Sequence, residues 1–233
     1  MSKKQNIQEP GGKETVEFFQ DLDKEALQTE RFLEKNFKLL SMIFGGLVLA
    51  VIGYFAYRQF VVEPKNQEAT ISYLAAQKNL TQGKDAEALG GKSAANPGFL
   101  GTYKDFSGTS VGKLSAYNAG MLKFKEGKYQ EAYDLLDGFS SDNKVLMAMK
   151  FGAMADCQAN LNKSEEALSL LDKATTASDD AYTSYYFTRK AGMLSLALKK
   201  KAEAKKYFSS IDEKYQDYDN GMSDSYIEMV KYY

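Results

Sequence analysis

The chain has 233 residues, 30 Lys and Arg against 31 Asp and Glu, a single cysteine and no histidine. Balanced charge removes the basic field that nucleic-acid binding needs, and one cysteine removes any intrachain disulfide. The missing imidazole removes the commonest general base and transition-metal ligand, so Ser–His and Cys–His nucleophile pairs are excluded. No catalytic, cofactor or metal site is expected, and the chain is not read as an enzyme.

Residues 1–13 hold Pro10, Gly11 and Gly12 and little that could be buried, which predicts a disordered tail. Over 14–38, Phe19, Leu22, Ala26, Leu33 and Phe37 recur at helical intervals among charges. This predicts an amphipathic helix, either a partner-binding element or a solvated extension of the apolar run after it. From Leu39 to Tyr57 no residue is charged, and at the helical rise the run spans roughly 28 Å, close to a bilayer's hydrocarbon thickness. A transmembrane helix is predicted over 39–60. The exit, Tyr57-Arg58-Gln59-Phe60-Val61, offers no small-x-small site, so an uncleaved anchor is expected rather than a signal peptide. Lys24, Arg31, Lys35 and Lys38 precede the run and only Arg58 and Lys65 lie close after it, which predicts a cytoplasmic N-terminus. Within the span Gly46, Ala50 and Gly53 form a strip of small residues, a candidate contact for another membrane helix.

Residues 61–112 read as a degenerate first helix pair, broken at Gly83, and then an irregular loop from Gly90 to Gly112. Gly91-Lys92-Ser93 in that loop imitates the end of a phosphate-binding loop. The first glycine of that motif falls on Ala86 and no apolar strand precedes it, so nucleotide binding is rejected.

Residues 113–233 repeat themselves. The first unit carries Gly120 on one helix, Gly127 at the turn, and Tyr129, Ala132 and Leu136 on the next. The second carries Ala155, a turn at Asn162, then Ala167 and Leu171; the third carries Gly192, then Ala204, Phe208 and Ile211. Alanines 132, 167 and 204 are 35 and 37 residues apart, and Gly120, Ala155 and Gly192 keep the same intervals. A small residue on each helix admits its partner closely, and a helix pair that cannot cover its own apolar face must stack on the next. The pattern resembles tetratricopeptide repeats, although Ser164 replaces the second unit's tyrosine and Lys199 and Lys201 occupy the third unit's turn positions. The fold class expected is all-α: one N-terminal transmembrane helix, then a TPR-like α-solenoid of antiparallel helix pairs. A last helix near Met222–Tyr233, with Met222, Tyr226, Met229 and Tyr233 on one stripe, is expected to cap it. Tyr182, Tyr185 and Tyr186 are candidates to line a groove for extended peptide, although aromatics at helical spacing also serve as repeat core. Cys157 is expected to be buried packing.

The order of parts, including FLEKNFKLL leading into the span, resembles the YfgM-like family of bacterial inner-membrane proteins, which are ancillary subunits of the SecYEG translocon. That resemblance implies a periplasmic C-terminal domain, a membrane-anchored prolyl isomerase chaperone as partner, and exported polypeptides as clients. A structural scaffold in another envelope complex is the alternative expectation.

Overall fold

The computed structural model of the protein describes residues 12–93 and 96–232, with side chains described from residue 34 onward. Among the described residues every regular element is a helix, and the one extended pairing is an isolated bridge between Ser93 and Asn96. The chain divides into two units, Met1–Val62 and Glu63–Tyr233.

The first unit contains α1 (Gly12–Tyr57) and a π-helical turn, Arg58–Val62. The amphipathic helix expected over 14–38 and the membrane helix expected from residue 39 are thus one continuous helix. The stripe at Phe19, Leu22, Ala26 and Leu33 lies outside the residues with described side chains, and residues 1–11 lie outside the described chain. The α-helical ladder gives way at Arg58, two residues before the span's expected end. Pro64 has no N–H for the Phe60 carbonyl, and a proline ring crowds that oxygen, so the ladder widens there.

The second unit runs α2 (Glu63–Thr81), α3 (Asp85–Gly90), α4 (Gly98–Phe106), α5 (Ser110–Lys125), α6 (Tyr129–Asp137), α7 (Lys144–Asn160), α8 (Ser164–Ala177), α9 (Ala181–Ala197), α10 (Lys201–Lys214), α11 (Gln216–Asp219) and α12 (Asp224–Lys231). Side-chain caps start three of them: Thr109, Asn143 and Asp180 accept from the amides of Gly112, Leu146 and Thr183. Helix α5 packs on α6, α7 on α8 and α9 on α10, while α6 against α7 and α8 against α9 join the pairs. Three-residue turns between pair members make them antiparallel neighbours.

Those turns close in one way. Gly83, Gly127, Asn162 and Lys199 have φ of 72, 77, 60 and 59°. The next residue, a lysine each time, sends its amide back to the carbonyl five residues earlier: Lys84 to Asn79, Lys128 to Lys123, Lys163 to Gln158, Lys200 to Ser195, at 2.8–3.0 Å. This Schellman arrangement satisfies carbonyls that the helix end would orphan. Glycine enters it freely, whereas Asn162 and Lys199 hold it against a penalty of order 1 kcal/mol. Before each turn a small residue is buried (Ala76, Gly120, Ala155, Gly192), and after each an alanine (Ala88, Ala132, Ala167, Ala204). A methyl added at Gly120 would lie 2.8 Å from Leu136, and one at Gly192 would lie 2.9 Å from the Phe208 ring. Tyr129 is half-buried, its ring 5.3 Å from Phe124.

The α2–α3 turn therefore shares the spacing of the other three, at a longer interval because α4 intervenes. This corrects the loop expected from Gly90 to Gly112. Phe99 and Thr102 on α4 are fully buried, the Phe99 ring 5.5 Å from Tyr73 and the Thr102 hydroxyl 2.6 Å from that of Ser72. Burial outweighs the low helix propensity of a glycine-rich segment. Gly112 is no breaker either: it sits in the first turn of α5, where a Cβ would strike the Phe106 carbonyl.

The final helix is a second correction. Met222 lies in the turn before α12, so its spacing to Tyr226 is not helical; Met222 and Met229 are exposed and Tyr233 lies outside the described residues. The inward face is instead Tyr226, Ile227 and Val230, packed with Phe208 and Ile211. Four polar links join neighbouring pairs at separations of 34 or 35 residues: Lys190 to Asp156, Tyr207 to Asp172, Lys144 to Asp179 and Lys200 to Glu165.

Candidate interaction surfaces

Among the described residues no three or more Cys, Asp or Glu side chains gather as a metal site would require. Cys157 is fully buried on α7, and burial, with Asp156 beside it, pushes its thiol up to about 11. Such a thiol stays protonated and unreactive near neutral pH.

The first surface is the apolar half of α1. From Glu34 the helix is long and apolar enough to cross a membrane, and none of its most apolar stretch is buried. Apart from half-buried Leu40, the Leu, Ile, Phe and Val side chains from Leu39 to Tyr57 stand exposed, Leu49 and Phe44 at about 70%. A soluble core helix would hide them. At Gly46 and Gly53 an added Cβ would meet nothing within 4 Å, and Ala50 between them is exposed, so the strip is open to a second helix. Beside it Phe37, Leu40, Ser41, Phe44 and Gly45 frame a shallow apolar depression.

The second surface is on α9. Tyr182, Tyr186, Arg189 and Met193 recur at intervals of four, three and four residues, which places them on one helix face. With Tyr185, Lys190 and Met222 they line a cleft of about 400 Å³. The three tyrosines meet there in different roles. Tyr182 and Tyr186 are 59% and 49% exposed, whereas Tyr185 is buried. The Tyr185 hydroxyl donates to Asp219 Oδ1 at 2.9 Å, which also accepts from the Ser223 hydroxyl at 2.6 Å; Oδ2 accepts from the Ser223 amide at 2.8 Å. Burial and the bond to Asp219 push the Tyr185 hydroxyl up to about 12, so it remains a donor. The rings of Tyr182, Tyr215 and Tyr218 lie 6.2–6.5 Å from that of Tyr185, so an aromatic wall fixes it. Lys190 is paired with Asp156 at 2.6 Å.

The tyrosines are visible in the sequence, whereas Arg189 and Met193 do not stand out in it and Met222 is expected on the capping stripe rather than in the cleft. The helical spacing from Tyr182 to Met193 is a signal that could have found both Arg189 and Met193. Nothing local announces that Asp219 meets Tyr185.

Among the described residues these features define an all-helical chain with one candidate membrane-spanning helix and an aromatic cleft in its second unit. Comparison with protein-family models, with curated proteins and with solved structures finds no match to the chain.

Proposed function

We propose that the protein is a single-pass bacterial inner-membrane protein whose second unit is a TPR-like α-solenoid in the periplasm, serving as an interaction module beside the Sec translocon. The observation that carries this reading is the apolar helix, none of whose most apolar stretch is buried, attached in one chain to helix pairs that repeat one turn geometry. Recurrent left-handed turns, buried alanines at fixed spacing and polar links one repeat apart support the solenoid. The excess of cations before Leu39 supports a cytoplasmic N-terminus. Resemblance to the YfgM-like family supports the translocon and a membrane-anchored prolyl isomerase chaperone as partners and exported polypeptides as clients. The α9 cleft is the surface offered to those clients.

Orientation is tested first. Protease added to spheroplasts is expected to remove the Glu63–Tyr233 unit, and protection of that unit in intact spheroplasts reverses the assignment. The functional test is co-purification from detergent, in which translocon subunits are expected to accompany the protein. Their absence assigns it instead to another envelope complex. Association in lipid depends on close packing rather than on a hydrophobic drive. Replacing Gly46, Ala50 and Gly53 together by Leu is therefore expected to reduce translocon recovery while protein level and topology stay normal. Undiminished recovery moves the contact away from the strip.

A further inference from the structure

We infer that the α9 cleft selects extended polypeptide segments bearing a carboxylate near an aromatic or aliphatic side chain, with Arg189 as the receptor of the carboxylate. The inference rests on the reading of this cleft as a polypeptide-binding surface and adds its selectivity.

Charge is the first ground. Two cations line the cleft, and Lys190 is already matched by Asp156. Arg189 makes no hydrogen bond or ion pair with any described residue, and its Nε is buried without an acceptor. Asp219 is near enough to feel the Arg189 charge, but three donors from Tyr185 and Ser223 already occupy its two oxygens. The guanidinium fork is matched to a carboxylate, which can answer two of its N–H groups at once. A neutral segment leaves the Arg189 charge unmatched, and a basic one meets like charge.

The remaining lining supplies the second ground. Tyr182, Tyr186, Met193 and Met222 are all exposed, so apolar wall flanks the cation on both sides along α9. Tyrosines offer contact area at low entropic cost, and methionine adapts to varied side chains. Arg189 and Met193 are one helical turn apart, about 6 Å along the axis. Alternate residues of an extended strand are about 6.6 Å apart on one face. An acid at one position therefore reaches Arg189 while the apolar residue two places away lies against Met193 or Tyr186.

The test uses the full chain in detergent micelles and fluorescence anisotropy with short labelled peptides in which phenylalanine and aspartate alternate with serine. Matched peptides carry asparagine or lysine in place of aspartate. The aspartate peptide is expected to bind roughly tenfold more tightly than the asparagine one, the scale of one charge-assisted bidentate contact. Arg189→Gln is expected to erase that preference while leaving residual apolar binding. Arg189→Lys keeps the charge beside Asp219 and is expected to retain binding with most of the preference lost. Tyr186→Ser is expected to weaken both peptides alike. Equal binding of the aspartate and asparagine peptides overturns the selectivity and leaves the cleft as a polypeptide site. So does a preference unchanged in Arg189→Gln. Failure of every peptide to bind overturns the underlying reading, and the selectivity with it.

Discussion

Truncating Phe208 to Ala is expected to destabilise the Glu63–Tyr233 unit by about 3–5 kcal/mol, the range for removing a fully buried aromatic side chain. Phe208 has no exposed surface, and its ring fills the space that Gly192 leaves on α9. On its other side it stacks on Tyr226 of α12, centroids 5.3 Å apart and planes 20° apart. Removing the ring opens a hole where α9, α10 and α12 meet, and α12 loses the surface against which Tyr226 and Val230 pack. Urea unfolding of the protein monitored by circular dichroism is the measurement. A loss below about 1 kcal/mol would mean that the site collapses around the gap, and that this cluster does not hold the C-terminal helix in place.

Acid is expected to weaken the same end of the unit through Asp219. Burial works to raise this carboxyl, but the Ser223 hydroxyl and amide, the Tyr185 hydroxyl and the Arg189 charge outweigh it and hold the group below its ordinary value. A carboxylate whose folded value is depressed contributes fully above the unfolded value, about 3.9, and its contribution fades as pH falls through the lower folded value. Stability should therefore be level near neutrality and decline once pH drops below about 4. Asp219→Asn replaces one of the two acceptor oxygens by an NH2 group, so the donors of Tyr185 and Ser223 can no longer all be answered as they are, and is expected to lower neutral stability by about 1–3 kcal/mol. It should also flatten the acid limb. Unfolding midpoints recorded against pH for both proteins decide the matter, and parallel profiles would sink the assignment of the acid response to Asp219. Lys231, paired with Glu228, is exposed, and half-buried Lys200 is paired with an exposed Glu165; salt screens such surface contacts.

Much of the second unit is legible in the sequence because its signals are local and repeated. The spacing of Gly120, Gly127 and Ala132 recurs at 155, 162 and 167 and again at 192, 199 and 204, and each position has one job in a turn or a helix contact. The same spacing at Ala76, Gly83 and Ala88 is hidden because the interval to the next copy is longer. Its cause, α4, lies in a stretch rich in glycine. There the residue types that usually end helices serve other ends. Gly112 admits the Phe106 carbonyl, and Phe99 and Thr102 supply burial that no propensity scale contains.

By itself the amino-acid sequence determined the helical class, the uncharged run from Leu39 to Tyr57 and the exclusion of histidine chemistry. Each of these depends only on composition or on the spacing of neighbours along one element. Tertiary structure alone decided that Tyr185 turns inward to Asp219 while Tyr182 and Tyr186 stay exposed, and that Val230 rather than Met229 closes the last pair. It also decided that Arg189 is left without an ion pair while Lys190 finds Asp156. Those outcomes depend on residues 34 positions or so apart meeting at contact distance. A helix's own periodicity sets which residues share a face, but only the neighbour packed against that face sets which of them are covered, paired or left open.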